Sequence, residues 1–239
     1  IMTILVTGGS GSLGSELQNF FPDCLSPSSN DLDITNKESI KNYLKIHSID
    51  IVIHTAAITS VRLCEENKKL AWNTNVQGTK NLVDCILKFN SKIKFVYVST
   101  ACVFDGNSGM YDEDDIPYPE NFYALTKLLG ESEISKLSNS VIVRTNFVSK
   151  KPWPYPAAFT DRFGTYLFAS NVAMGIKEIL ESDLSGLVHI VGDKKISMYE
   201  LAKITTPNVL PMKIDEYDGP TLTMDMSLDS KRWKKYSLN

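Results

Sequence analysis

Thr3-Ile4-Leu5-Val6-Thr7-Gly8-Gly9-Ser10-Gly11-Ser12-Leu13-Gly14 decides the fold. Its first five residues are apolar or β-branched and read as a short buried strand. Gly8, Gly11 and Gly14 follow as G-x-x-G-x-x-G, and residues 15–21 suit a helix. Strand, glycine turn and helix in that order open a βαβ unit. Glycine permits a tight turn and close backbone approach, and a helix N-terminus offers free N–H groups to a pyrophosphate. Gly8, Gly11, Ser12, Leu13 and Gly14 are therefore expected to hold a dinucleotide; a plain glycine turn is the bland alternative.

An acid that grips the adenine ribose 2′-OH usually ends the second strand. Here that position falls in Leu25-Ser26-Pro27-Ser28-Ser29, with neither acid nor arginine. Serines such as Ser28 do not repel a 2′-phosphate, so the expected cofactor is NADPH, with NADH as the other option. Asp31 and Asp33 lie too late for the ribose. Asp33, beside Ile34, suits a contact from the third strand to the adenine amino group, or else is a solvated turn aspartate.

Further along, residues 36–46 read as a helix capped by Asn36 or Thr35. Strands are expected at 51–55, 94–99 and 140–144, with helices over 70–89 and 123–135. This alternation predicts an α/β fold, a Rossmann-type doubly wound parallel sheet. After Arg144 the texture changes. Residues 150–156 hold three prolines and two aromatics and read as irregular. A helix at 171–181, a strand at 186–191, a short helix opened by Ser197 and a terminal helix over 227–236 are expected. The division predicted is a dinucleotide-binding domain, 1–145, and a small substrate-binding lobe, 146–239, that does not fold independently.

Composition narrows the function. The formal charge of −3 over 239 residues, with no Lys/Arg block, argues against nucleic acid. Cys24, Cys64, Cys85 and Cys102 form no C-x-x-C pair and read as reduced thiols. His47, His54 and His189 are dispersed, so no metal is expected. No apolar run approaches a membrane span and no signal-peptide pattern opens the sequence, so the expected location is cytoplasmic. Ile1 ahead of Met2 reads as extraneous.

Tyr123-Ala124-Leu125-Thr126-Lys127 carries the chemistry. A tyrosine and a lysine four apart share a helix face. There an ammonium can stabilise a phenolate and bring the phenol toward working pH, making a proton donor and acceptor for carbonyl/alcohol chemistry.

With both motifs placed, the chain resembles the extended short-chain dehydrogenase/reductase superfamily, and within it the dTDP-4-dehydrorhamnose reductase family. The carriers are Val6–Gly14, Asp31-Leu32-Asp33-Ile34-Thr35, Asp50–Ala57, Asn73–Thr79, Val98–Gly106 and Tyr123–Glu131; Asp161–Thr165, Ser185–His189 and Leu228–Trp233 extend the likeness. The resemblance implies that Tyr123 protonates the C4 oxygen of a nucleotide-sugar as hydride reaches the carbon. It implies that Lys127 lowers the Tyr123 pKa and binds the nicotinamide ribose. Thr100, with Ser99 as the alternative, bonds the same oxygen, and Ala56 and Ala57 lie along the cofactor. Asn75 is expected to order the helix behind the site. Arg144 receives no role beyond a structural ion pair. A homodimer built on the helices over 70–89 and 123–135 is also implied.

The sequence departs from the family pattern at the substrate wall. Ala101-Cys102 stands where Asp-Tyr is usual. Arg62 stands where an aspartate is frequent; it either pairs a substrate phosphate or is a surface arginine. Residues 146–161 are compressed, and proline-rich 150–156 does not easily supply the usual helix. Trp153 either stacks on a sugar or base or packs in its loop. Residues 207–220 shorten the C-terminal part. The reading that follows is an NAD(P)H-dependent reductase of a 4-keto deoxysugar nucleotide. Its rivals are an NAD-dependent nucleotide-sugar epimerase and a non-catalytic regulatory subunit like those of methionine adenosyltransferase. Ala101-Cys102 argues against a 4,6-dehydratase, whose water elimination needs an acid and a base there.

Overall fold

The computed structural model describes residues 2–239, and Ile1 lies outside them. β1 (Ile4–Thr7) enters α1 (Ser12–Phe20) through the glycine turn, and α2 (Lys37–Ile46) leads to β2 (Ile51–His54). Asn36 caps α2, its side-chain oxygen accepting from the Glu38 N–H at 2.9 Å. Then come α3 (Val61–Glu66), α4 (Lys68–Ala71), a π-helical segment Trp72–Gly78 and α5 (Thr79–Phe89). The helix expected over 70–89 therefore forms with a π segment inside it. β3 (Lys94–Val98), α6 (Phe122–Ile134) and β4 (Ser140–Thr145) complete the first half. The rest holds β5 (Phe147–Val148), β6 (Ala157–Phe159), β7 (Phe163–Gly164), β8 (Leu167–Phe168), α7 (Ala169–Leu180) and β9 (Gly186–Gly192). It ends with β10 (Ile196–Ser197), α8 (Met198–Thr205), β11 (Leu210–Met212), β12 (Asp225–Met226) and β13 (Lys235–Tyr236).

The central sheet has six parallel strands in the order β1-β2-β3-β4-β9-β13. Helices cover both faces, which is why β2 reads as an unbroken buried run. On one face α1 and α7 bring Leu13, Leu17, Val172 and Ile176. On the other, α2, α5 and α6 bring Ile40, Leu82, Ile86 and Ile134. Leu25 joins β1 on its free side: the Val6 N–H donates to Leu25 O and the Leu25 N–H to Ile4 O, both at 2.8 Å. Chain order thus reverses at β1, between Leu25 and β2. A crevice opens at such a switch point beyond the C-terminal strand ends.

Three expectations change. The strand near Leu25 is a single bridge, and residues 31–35 are turns, so Asp33 does not sit on a strand. Residues 227–236 form no helix. Instead Lys235 and Tyr236 pair with Val191 and Gly192 at the edge of β9, and Tyr236 is buried in the core there. That burial and those ladder bonds outweigh the local helical pattern. Finally, a boundary at 145 divides the chain but not the sheet, because β9, β13 and α7 all follow it. Residues 150–156 form neither helix nor strand, in line with their prolines. Among the described residues no helix is long and apolar enough to cross a membrane, and no cluster fit to hold a metal occurs.

Candidate active site

At the end of β1 the chain turns through Gly8, whose φ of +73° lies in the left-handed region. A Cβ on Gly8 would stand 2.7 Å from Ala56 N, and one on Gly14 would stand 2.2 Å from Gly8 O. The loop, α1 and the end of β2 are thereby packed backbone to backbone. The Ser12, Leu13 and Gly14 N–H groups belong to the first turn of α1, which has no acceptor ahead of it and no acid to offset the helix dipole. This is an anion cradle of the kind a pyrophosphate needs. Gln18, not singled out from sequence, braces it by donating to Gly9 O at 2.9 Å and Gly14 O at 3.1 Å.

Beside the cradle lies a cleft of about 600 Å³. Gly8, Ser28, Asp33, Ile34 and Ala56 line it, joined by Ser10, Ser26 and Ser29. Gly11, Ser12, Leu13, Gly14 and Ala57 are not on its wall; the Leu13 side chain is in the core, so only its backbone is available to a ligand. Ser28 Oγ donates to Asp31 at 2.7 Å. Asp33 Oδ1 accepts from Thr35 N at 2.9 Å and from Thr35 Oγ1 at 2.7 Å, closing a turn at the cleft wall. No lysine or arginine lines the cleft, and Asp33 is its one acid among the described residues. Glycine cradle, free N–H groups and serine wall fit a nicotinamide dinucleotide, with no carboxylate at the Leu25 strand end to repel a 2′-phosphate.

One strand further, β3 ends at Ser99-Thr100. The buried Thr100 hydroxyl accepts from the Cys102 N–H at 3.1 Å and opens a short turn over Ala101–Val103. Across from it, Tyr123 lies in the first turn of α6. Asn121 caps that helix, accepting from the Ala124 N–H at 2.9 Å, and Glu65 of α3 accepts from the Phe122 N–H at 2.7 Å. Burial pushes the Tyr123 phenol above its ordinary value and the Cys102 thiol adds to this, while a hydrogen bond with Thr100 pulls the other way. Tyr123 packs against the cluster that holds Ala101, Cys102 and Val103, the turn opened by Thr100.

Lys127, one turn on, is buried and lowered to about 8 by desolvation, with Glu131 opposing. Its ammonium lies 4.3 Å from the centroid of the Tyr97 ring. The ammonium thus has a partner on β3 that the i, i+4 spacing did not point to. A desolvated cation takes the nearest electron-rich face, and Tyr97 of β3 stands under α6.

His54 and Asn75 hold this frame. Thr7 Oγ1 accepts from Thr55 N at 3.2 Å and Ala56 N at 3.3 Å, so its own hydrogen goes to His54 Nδ1 at 2.6 Å. Thr79 Oγ1 donates to Asn75 O at 2.8 Å and so receives the His54 Nε2–H at 2.9 Å. This bonding assigns a neutral His54, and burial, with Lys127 adding, depresses its pKa to about 3. Asn75, in the π segment, accepts from Ile58 N at 2.8 Å and donates to Ile58 O at 2.9 Å and Thr126 Oγ1 at 3.0 Å. It orders α6 and the loop after β2.

The substrate side differs from the sequence expectation. Ala101 is fully buried in the core, so its side chain does not face a ligand; the turn capped by Thr100 folds it inward. Cys102 is buried beside it, its Sγ 3.4 Å from Met226 Sδ. Arg62 spans from α3 to the C-terminal part, donating to Asp218 O at 2.6 Å with its guanidinium 5.9 Å from the Tyr217 ring centroid. Trp153 donates its indole N–H to Ala157 O at 3.1 Å and packs against Ala158, Ala202 and Val209, seating the lobe.

Comparison with known proteins places this geometry. A family model described as RmlD substrate binding domain matches residues 2–160. The chain is 30% identical over 240 residues to a dTDP-4-dehydrorhamnose reductase of Aggregatibacter actinomycetemcomitans, covering 89% of this chain and 81% of that one. It is 27% identical to methionine adenosyltransferase 2 subunit beta of Xenopus laevis, covering 83% of this chain and 69% of that one. A crystal structure of a Bacillus anthracis dTDP-4-dehydrorhamnose reductase in complex with NADP superposes with a TM-score of 0.87 at 25% identity, covering 95% of this chain and 90% of that one.

Proposed function

The chain belongs to the RmlD substrate binding domain family, and from that membership we propose that it is an NAD(P)H-dependent reductase of the 4-keto group of a nucleotide-activated deoxysugar. The observation that carries the reading is the packing of Tyr123 against the Ala101–Val103 turn that Thr100 opens, with buried Lys127 one turn on. Nicotinamide, when bound, supplies the hydride. Tyr123, held protonated by burial, gives its proton to the carbonyl oxygen as negative charge develops there. Thr100 donates a second hydrogen bond to the same oxygen. Lys127, one turn on, lowers the phenol's pKa when charged and bonds the nicotinamide ribose. The α1 cradle, with Ser28, Asp33, Ile34, Ala56 and Ala57 along the cofactor's path, binds NADPH or NADH. Arg62 and Trp153 are the side chains assigned to the substrate, Arg62 from its link to Asp218 and Trp153 from the seat of the lobe. We place the protein in the cytoplasm, as a homodimer pairing through the exposed Leu87, Phe89 and Leu125 of α5 and α6.

The purified protein is expected to oxidise NADPH when given a 4-keto-6-deoxy nucleotide-sugar, followed by loss of reduced-nicotinamide absorbance. Tyr123→Phe is expected to bind NADPH normally and to lose turnover by at least about 10²-fold. No oxidation across a panel of such sugars, or a fully active Tyr123→Phe, overturns the assignment. The likeness to methionine adenosyltransferase 2 subunit beta favours a second reading, a non-catalytic subunit. That reading expects cofactor binding without turnover on any sugar.

A further inference from the structure

Two turns after Tyr123 on α6, Glu131 is a buried carboxylate that receives three hydrogen bonds. Ser99 Oγ donates to its Oε1 at 2.6 Å and Arg144 Nε to the same oxygen at 2.9 Å, while Arg144 Nη2 donates to Oε2 at 2.8 Å. Ser99 directly precedes Thr100 at the end of β3, and Arg144 lies near the end of β4. One side chain of the helix that carries Tyr123 and Lys127 is thus tied to two strand ends, one of which carries Thr100. A second tie runs parallel to it. Tyr97 Oη donates to Lys127 O at 3.2 Å, and a Cβ on Gly130 would stand 2.1 Å from that Oη, so only glycine lets α6 come this close to β3.

Stability is a weak account of this pair. Desolvating two charges cancels most of their attraction, and apolar residues of equal volume often serve as well. Arg144 Nη1 also stays buried without a partner, a cost a purely stabilising device avoids. The surroundings of the lysine point elsewhere. His54 from β2, the Tyr97 ring from β3 and Glu131 from its own helix are titratable groups set around Lys127, and Glu131 is the carboxylate that acts on it.

Resting on the reductase reading of this site, we propose that Glu131 is a positioning residue: anchored by Ser99 and Arg144, it fixes the helix that carries Tyr123 and Lys127 against the strand end that carries Thr100. Two full-length variants test this. Ser99→Ala cuts the tie to β3 and leaves the ion pair. Glu131→Gln combined with Arg144→Met removes the pair without stranding a charge. Lys127 is titrated in each by NMR of isotope-labelled lysine, assigned with Lys127→Met, and kcat and KM are measured alongside. In the double variant the Lys127 midpoint is expected to fall by at least about half a pH unit, because an opposite charge near an ammonium favours its charged form. In Ser99→Ala the midpoint also departs from that of the wild type, and kcat drops about tenfold with KM within about twofold, as for a misplaced catalytic group. Unmoved midpoints in both variants, with only the melting temperature lowered, overturn the proposal and leave a structural ion pair. The lysine titration needs no turnover. A wild type that reduces no sugar therefore counts against the reductase reading, and the titration still decides this one.

Discussion

A phenol pushed above its ordinary pKa keeps its proton at neutral pH but gives it up less readily, so Tyr123 starts in the protonated form. The spacing of Tyr123 and Lys127 picked out both residues but not the strand beneath them, because an i, i+4 rule describes only the helix. Tyr97, distant in sequence, meets the ammonium from below. His54 was read only as one of three dispersed histidines, because a lone histidine in a buried strand carries no local signature. Its effect is measurable. Folded His54 stays neutral down to about pH 3, whereas an unfolded histidine takes its proton near 6.5. Between those values the unfolded chain binds the extra proton, so stability is present above about 6.5 and is lost as pH falls toward 3, at about 1.4 kcal/mol per unit of pKa difference. Urea midpoints are expected to drop over that window, and His54→Gln to flatten the slope. An unchanged slope in the variant would assign the loss to other groups.

At the scale of elements, the glycine motif was legible because its requirement is steric and local. The three glycines are nevertheless unequal. A Cβ on Gly14 meets Gly8 O at 2.2 Å and Gly9 Cα at 2.7 Å, main-chain atoms that cannot step aside, whereas one on Gly11 meets only Gly8 O at 3.3 Å. Gly14→Ala is therefore expected to cost about 1–3 kcal/mol and to weaken NADPH binding at least tenfold. Gly11→Ala is expected to stay within about 0.5 kcal/mol of the wild type, as substitutions that create no clash do. Thermal melts and fluorescence titration read both, and equal behaviour of the two variants would remove the steric argument. The caps at Asn36, Asn121 and Ser197 were legible or inferable for the same reason, since each bonds within its own first turn. The tail misled because its Lys231-Arg232-Trp233-Lys234-Lys235 run has no such local answer. Its cations find Asp112, Asp114, Ser185 and Glu178 across the molecule, and Asp229 within the tail itself.

For the whole molecule, the sheet overrides the division of the chain at 145. Leu167, Val172, Ala173, Ile176, Ile179, Val188, Ile190 and Tyr236 share one core with Val6, Leu13 and Leu17. Residues 1–145 expressed alone would expose that face, and 146–239 alone would leave β9 without β4. Neither fragment is expected to melt cooperatively, and both should bind a hydrophobic dye. A cooperative transition in 146–239 would show a self-sufficient lobe. By itself the sequence determined the parallel α/β architecture, the glycine cradle, and Thr100, Tyr123 and Lys127 as the residues to watch. The architecture, the cradle and the Tyr123–Lys127 pair rest on periodicity and backbone sterics, which act over a few residues, whereas Thr100 came from the family resemblance. Only the tertiary structure decided that Lys127 rests on Tyr97, that Ala101 turns inward, that Glu131 joins two strand ends, and that the tail closes the sheet. Each of these is a choice among distant partners, made by burial and charge once the chain is packed.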